Sequence, residues 1–387
     1  MVNNFKIEQY DHFKNAFQKY CKPKEFPPKS EAEAVHIITP SLHPRDAVSR
    51  HVLEMSAFLD LMGFKARIYA DQIAPELDDI VRPSERLFVD TAPGDKIIYH
   101  FSIGHELFNK ISLLKNKKAL YYHGITPPEL LGEEASPTAK LCSYGLQQFG
   151  NVSQFDLLAA NSMFNAEQIQ QLGNVDRASI HWLPPFLSLE KWNSIDSDRE
   201  PAWIKESEDE FNLLYVGRMF PHKNIHGLLE LFNELVQRNS NLKLNFVGSL
   251  SAGHYLNHIN RYIESNNLGA KVRFITNAPD SQLKWCYENA DALITLSQHE
   301  GFAIPIAEAM LFKLPIISHH KSAITETLSG SGLILDDKLA NNIEKASSLV
   351  RSGGKDLTDQ QTMIFNKRYS DASNFNRYFD FLSLLMR

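Results

Sequence analysis

Two successive runs of short apolar segments, each alternating with amphipathic helical segments, constrain this sequence more than any other feature. In the first run the apolar segments are Val35 to Thr39, Lys65 to Ala70, Lys96 to Phe101, Lys118 to Tyr122, Leu157 to Ala160 and Ser179 to Leu183. Between the first two, Val48, Val52, Met55, Leu59 and Met62 recur at helical spacing and Gly63 closes the helix. The second run has strands at Leu213 to Val216, Leu244 to Val247, Val272 to Ile275, Ala292 to Leu296, Ile316 to Ser318 and Leu333 to Leu335. Its first helix shows an apolar face of Ile225, Leu228, Leu229, Phe232, Leu235 and Val236. Strands alternating with helices predict parallel sheets covered on both faces. The expected fold is therefore α/β, with two Rossmann-like domains facing each other across a cleft. Ligands of such sheets bind beyond the carboxyl ends of the strands.

The two runs are separated where the rhythm breaks, between Leu187 and Asp209, a stretch holding Asp196, Asp198, Arg199, Glu200 and Pro201. This predicts an N-terminal domain over 34–195, a linker over 196–210 and a C-terminal domain over 211–368. The total of 387 residues suits about two domains. Residues 369–387 form a last segment rich in Phe and Leu at helical spacing. Residues 1–33 comprise an amphipathic segment and a linker, with Ile7, Tyr10, Phe13, Phe17 and Tyr20 on one stripe. Such a stripe serves either a membrane surface or the protein's own body, and the mixed charges here favour the body.

Composition removes several function classes. Lys and Arg number 40 against 46 Asp and Glu, a net charge of -6, which argues against a protein that coats nucleic acid. Cys21, Cys142 and Cys286 are far apart and odd in number, so neither a disulfide framework nor a cysteine zinc site is expected. The first residues lack the apolar core of a signal peptide, and no run of about 18 apolar residues occurs. A cytoplasmic setting is expected, with peripheral contact at the inner face of a membrane left open.

Two segments at strand ends carry chemistry. Val216-Gly217-Arg218-Met219-Phe220-Pro221-His222-Lys223-Asn224 leaves a strand and opens a helix. Gly217 permits a sharp turn, Arg218 offers a planar fork to phosphate oxygens, and Lys223 adds a point charge. Spacing alone reads these cations equally well as a diphosphate site or as solvated loop charges. The second segment runs Ser297-Gln298-His299-Glu300-Gly301-Phe302-Ala303-Ile304-Pro305-Ile306-Ala307-Glu308. Pro305 marks the first turn of a helix whose amino end favours an anion. Carboxylates at Glu300 and Glu308 suit sugar hydroxyls, because they accept hydrogen bonds without donating. Glu308 alone reads more simply as a charge on a helix dipole. Both segments fall at strand ends of one predicted sheet, which favours a shared ligand.

Glu300 and Glu308, with seven residues between, resemble the EX7E signature of retaining GT-B glycosyltransferases, and Gly217, Arg218 and Lys223 resemble the Gly-Arg-x4-Lys element of the glycosyltransferase family 4 type (group 1 glycosyltransferases). The likeness continues through SQHEGFAIPIAEAM, KLPIISHHKSAITETL and GLIL. In the N-terminal half it continues through DAVSRHVLEMSAFLDLMGFKARIYA, IIYHFSIGHELF, ALYYHGITPPELL and LLAANSMFNAEQIQQLG. It covers nearly the whole chain from Ala34.

The resemblance implies an acceptor-binding N-terminal domain, a donor-binding C-terminal domain, and a last helix packing back on the former. Arg218 and Lys223 would bind the donor diphosphate and stabilise its growing charge in place of a metal. Glu300 would hold donor-sugar hydroxyls, with Gly301 and the backbone amides around Phe302, Ala303 and Ile304 beside it, and Glu308 the nucleotide ribose. His123 matches a histidine near the sugar and acceptor; taken alone it also reads as a structural histidine ending a strand. The implied reaction moves a hexose from a nucleotide diphosphate sugar, GDP-mannose first and a UDP-hexose next, to a glycan or lipid-linked oligosaccharide hydroxyl. Surface polysaccharide biosynthesis is the implied setting. Neither a metal nor a resident cofactor is expected.

Two departures stand out: Asp46-Ala47 occupies the place of a diglycine, and Ala303 the place of a common glycine. Asp46, Ser49 and Arg50 are candidate acceptor contacts, and Ala303 is expected only to narrow the pocket. Weaker signals are His254 with His258, a His319-His320 pair, and Gly330-Ser331-Gly332, which precedes a strand and is no dinucleotide fingerprint. The rivals are a nucleotide-sugar epimerase or hydrolase on the same fold, a dehydrogenase, disfavoured for want of that fingerprint, and a non-catalytic subunit of a glycan-assembly complex.

Overall fold

The computed structural model describes residues 13–20, 33–43, 46–132, 136–187, 189–197, 209–250, 253–336 and 338–387. The chain divides into two compact units. The first comprises Met1–Pro128, Glu134–Lys191 and Tyr369–Arg387; the second comprises Glu129–Glu133 and Trp192–Arg368.

The first unit is built on β1 (Ala34–Ile38), β2 (Ser41–Leu42), β3 (Lys65–Ala70), β4 (Gln72–Ile73), β5 (Val81–Pro83), β6 (Lys96–Phe101), β7 (Lys118–Tyr122), β8 (Leu157–Ala160) and β9 (Ile180–Trp182). Seven of these form one parallel sheet in the order β5-β3-β1-β6-β7-β8-β9, and β2 pairs with β4. Every residue of β1 and β7 is buried, as expected for central strands covered on both faces. The strands read from apolar runs are all present. The edge strand β5 and the β2–β4 pair had no counterpart in that reading, because two or three residues are too few to show a period.

One face of the sheet is covered by the helix Ala47–Leu61 and by the last helix, Asp371–Met386. Their Val52, Met55 and Phe58, and Phe375, Tyr378, Phe381, Leu382 and Leu385, join a single core. Residues 13–20 are helical and enter the same core. The Phe13 ring lies 4.9 Å from Phe186 and 5.2 Å from Phe375, and Phe17 lies 5.3 Å from Phe58. A buried phenylalanine contributes about 1.5–3 kcal/mol, and each favourable ring pair about 0.5–1.5 kcal/mol more. The described part of the aromatic stripe is thus committed to the protein's own body, and the peripheral membrane contact considered for it is set aside. Ile7 and Tyr10 lie outside the described residues. Among the described residues, no helix is long and apolar enough to cross a membrane.

The second unit holds β10 (Phe211–Val216), β11 (Leu242–Val247), β12 (Val272–Ile275), β13 (Ala292–Thr295), β14 (Ile316–His319) and β15 (Leu333–Leu335). They form a parallel sheet in the order β12-β11-β10-β13-β14-β15. The central β10 pairs with β11 and β13, so the turns leaving these strands become neighbours. Within the segment read as irregular, Leu189–Ser194 is a helix. Its Trp192 is buried against Phe312 and Tyr287, at ring distances of 5.3 and 6.2 Å. Residues 198–208 of that segment lie outside the described residues.

Asp371, at the start of the last helix, is buried and its carboxyl is pushed up to about 7. Burial is the main cause, the Glu190 and Glu54 charges add to it, and the backbone N–H of Leu189 opposes it. Between the ordinary carboxylate value and about 7, the folded chain keeps a proton that the unfolded chain releases. Stability therefore falls as pH rises through that window. Asp371→Asn, which mimics the protonated form, is expected to raise the melting temperature at about pH 8 and to leave it unchanged near pH 5. Thermal denaturation of both proteins at the two pH values checks this.

Candidate active site

The turn after β10 begins at Gly217, whose backbone has φ +150°. It runs beside the turn after β11, where Gly248 has φ +145°. The two are in register, since Val216 pairs with Val247 and the Gly217 N–H donates to Val247 O at 2.9 Å. A Cβ added to Gly248 would sit 2.1 Å from the Gly217 carbonyl oxygen. The approach thus requires glycine twice over, by conformation and by space. The contact continues as Met219 N–H donates to Ser249 O.

Arg218 follows as an exposed guanidinium lying 4.6 Å from the centre of the Phe220 ring. The buried Tyr215 hydroxyl donates to Arg218 O at 3.2 Å and braces the turn from below. Pro221–Lys223 forms one 3-10 turn, and Asn224, in the left-handed region at φ +53°, caps the helix Ile225–Arg238 by accepting the Gly227 N–H. That reversal directs Lys223 toward the loop beyond β13. There Lys223 Nζ meets Glu300 Oε1 at 2.6 Å, with both side chains largely buried. Gln298 N–H also donates to His222 O at 2.8 Å, which ties the two loops through backbone.

Burial pushes the Glu300 carboxyl up, and the Lys223 ammonium, helped by Ser297, outweighs it and holds the group below its ordinary value. Burial and the Lys223 charge drive His222 down to about 3, and burial drives His299 down to about 4. At neutral pH the charged groups of this strand-end site are therefore Arg218, Lys223 and Glu300. The Glu300 N–H donates to Ser322 Oγ at 2.8 Å, fixing the loop from its far side.

Gly301, Phe302 and Ala303 lead from Glu300 into the helix Ile304–Leu311, with Phe302 and Ala303 buried and Ile304 partly so. Ala303 is the helix N-cap with φ +70°. That finding revises the expectation for this position: the residue stands where backbone conformation favours glycine, and volume is not the main issue. Glu308 is buried inside this helix and accepts the Tyr287 hydroxyl at 2.9 Å. A carboxylate held this way is oriented by a specific donor, which a helix-dipole charge would not need.

His123, in the first unit, follows β7, and its backbone N–H donates to Phe101 O. The residue is buried, and its Nε2 lies 2.9 Å from His100 Nδ1. His51, from the helix Ala47–Leu61, completes a group of three whose ligand-capable nitrogens lie within 4.8 Å of one another. Burial and the neighbouring rings hold His51 and His123 well below the usual imidazole value, and burial drives His100 to about 3, so all three are neutral.

Residues 196–362 match the family described as Glycosyl transferases group 1. That matched segment, less than half of the chain, is similar to the group 1 glycosyltransferases, and the chain has the GT-B fold. O-antigen chain mannosyltransferase B of Escherichia coli is 28% identical over 123 residues, which is 32% of this chain and 32% of that protein. O-antigen chain mannosyltransferase RfbU of Salmonella typhimurium is 28% identical over 158 residues, 38% of this chain and 43% of that protein. These alignments span less than half the length of the curated relatives. Among solved structures, HepE from Anabaena in complex with UDP and glucose superposes with a TM-score of 0.71 at 14% identity, covering 91% of this chain and 100% of that one. WaaG, a glycosyltransferase involved in lipopolysaccharide biosynthesis, gives 0.69 at 12% identity over 89% and 98%.

Within the matched segment, Lys223 and Glu300 are in direct contact, Arg218 shares the turn with Lys223, and Glu308 lies on the helix that leaves the Glu300 loop. His123 belongs to the other unit. Asp46 does not present its carboxylate as an acceptor contact: its Oδ2 caps the helix Ala47–Leu61 by accepting the Ser49 N–H at 3.0 Å and the Ser49 hydroxyl at 3.0 Å. Ser49 is buried, and Arg50 pairs with Glu54 at 2.9 Å. His258 meets His226 at 3.2 Å, so its partner is not His254. Sequence reasoning missed Gly248, Tyr287, His100 and His51. Gly248 alone had a visible signal, since Phe246-Val247-Gly248-Ser249 repeats the strand–Gly pattern of Tyr215-Val216-Gly217-Arg218.

Gly248→Ala is expected to destabilise the second unit by about 1–3 kcal/mol, because the Gly217 turn must retreat. Chemical denaturation compared with Gly253→Ala checks it, since a Cβ at Gly253 meets nothing within 4 Å although its φ is also positive.

Proposed function

We propose that this chain transfers a hexose from a nucleotide diphosphate sugar to a hydroxyl of a glycan or lipid-linked oligosaccharide, with retention of configuration and without a metal ion. The observation that carries the reading is the Lys223–Glu300 contact at 2.6 Å, with Arg218 exposed on the same turn. An exposed guanidinium and an ammonium on one turn suit a diphosphate. When a donor arrives, its phosphate oxygens would take over Lys223 and Glu300 would turn to sugar hydroxyls. As the diphosphate leaves, Arg218 and Lys223 would stabilise its growing charge by preorganised electrostatics, the role a metal plays elsewhere. Glu308, oriented by Tyr287, would accept from the ribose hydroxyls.

Retention rests on the resemblance to the EX7E enzymes. The acceptor would enter on the face from which the diphosphate departs, with a leaving phosphate oxygen taking the acceptor proton. GDP-mannose is the first donor proposed, with UDP-hexoses second. The mannosyltransferase names of the bacterial relatives support mannose, and the UDP bound in HepE keeps the second donor in view. Surface polysaccharide biosynthesis is the proposed setting.

Ligand-observed NMR against a panel of nucleotide sugars identifies the donor. With that donor, Lys223→Ala is expected to lower kcat at least about 100-fold, the loss of one preorganised donor to the transition state. Glu300→Gln is expected to abolish transfer while the far-ultraviolet circular dichroism stays native. Wild-type-like transfer by both variants would remove the site assignment. Activity is expected to survive EDTA, and strict dependence on a divalent ion would overturn the metal-free mechanism.

A further inference from the structure

The three buried histidines of the first unit are not explained by the donor site, and their hydrogen bonds decide where each proton sits. Tyr378 donates its hydroxyl proton to Pro184 O at 2.9 Å, and Tyr121 donates to Leu183 O at 2.5 Å. His51 Nε2 lies 2.6 Å from the Tyr378 hydroxyl, and a proton on its other nitrogen would be buried without a partner, so His51 donates from Nε2. Its proton therefore sits on Nε2, and its buried Nδ1 is a bare lone pair without a hydrogen-bond partner.

The contact of His100 Nδ1 with His123 Nε2 at 2.9 Å admits two directions. Were His123 the donor, the single proton of His100 would lie on Nε2, which is fully buried and has no partner. An orphaned buried N–H forfeits its hydration without return, and structures avoid it more strictly than an orphaned lone pair. The reverse direction leaves only a lone pair at that position. It also puts the His123 proton on Nδ1, the nitrogen not engaged by His100.

We infer that His100 is a positioning residue: by donating from Nδ1 it locks His123 in the Nδ1–H tautomer, so that His123 meets substrate as a neutral hydrogen-bond donor. This rests on the reading that His123 faces the sugar or the acceptor. A neutral donor contacts a hydroxyl oxygen without adding a charge beside it. The packing supports a fixed ring, with His123 4.7 Å from Tyr121 and 5.1 Å from His100 between ring centres. The same three nitrogens are spaced to share a metal ion, but one of their pairs already stands at hydrogen-bond distance.

The test is the imidazole tautomer read by long-range nitrogen–proton NMR on the whole protein, combined with kinetics. Wild type is expected to show His123 in the Nδ1–H form. His100→Asn places an amide N–H where Nδ1 stood and is expected to retain that tautomer and a kcat within a few-fold of wild type. His100→Phe fills the space without donating. It is expected to shift His123 toward Nε2–H and to lower kcat about 10–100-fold with donor KM little changed, the scale of a misoriented contact.

An Nε2–H tautomer in wild type overturns the inference whether or not transfer is seen. So does a His100→Phe protein with unchanged tautomer and kcat, or stoichiometric zinc in the purified wild type that is lost in His100→Phe. Should His100→Phe fail to fold, the wild-type tautomer and His100→Asn still decide. A correct tautomer in a protein that transfers no sugar would count against the glycosyltransferase reading alone.

Discussion

Parallel strands can be joined only by crossovers, and crossovers deliver every strand-to-helix turn to one edge of the sheet. The candidate site of the second unit depends on that constraint. Placing β10 between β11 and β13 sets three turns side by side. One of them closes against its neighbour through Gly217 and Gly248, and another supplies the carboxylate that meets Lys223. None of these residues is near its partner in sequence. Neighbouring strand ends bring them together, and the backbone bond from Gln298 to His222 holds them there.

Electrostatics in this corner follow from the same geometry. Partial burial would ordinarily neutralise Glu300, yet a cation at 2.6 Å keeps it ionised. Two histidines in the same loops are kept neutral by burial and do not blur the pattern. The site thus holds its charge on a few groups whose positions are set by backbone. Electrostatic preorganisation requires that arrangement. In the first unit polarity is handled in the opposite way: three imidazoles are kept neutral by burial, one bonded to the Tyr378 hydroxyl and two to each other.

Much of this was legible in the sequence because long periodic segments announce themselves. Both sheets followed from apolar runs, and Arg218, Lys223, Glu300 and Glu308 stood out by residue type and by their place after strands. What remained hidden depends on contacts between distant segments. Tyr287 carries no mark as the partner of Glu308, since the two meet only through tertiary packing. His100 and His51 looked like ordinary apolar-run and helix residues until the sheet brought them beside His123. Asp46 misled for a local reason: a carboxylate before a helix reads as a ligand or as a cap, and here it is the cap. Ala303 misled because a positive φ cannot be seen in the identity of an alanine.

The last helix adds a consequence for the order in which the chain becomes structured. Phe375, Tyr378, Phe381, Leu382 and Leu385 fill the core of a unit whose sheet begins at Ala34. Domains made first on the ribosome generally fold first. Here the earlier-made unit lacks part of its interior until Asp371–Met386 is made, while the later-made unit already has all of its own strands. The second unit can therefore finish before the first. During that interval the face awaiting the last helix is an open apolar surface, so the growing chain is most exposed to mispairing and chaperone capture at its older end.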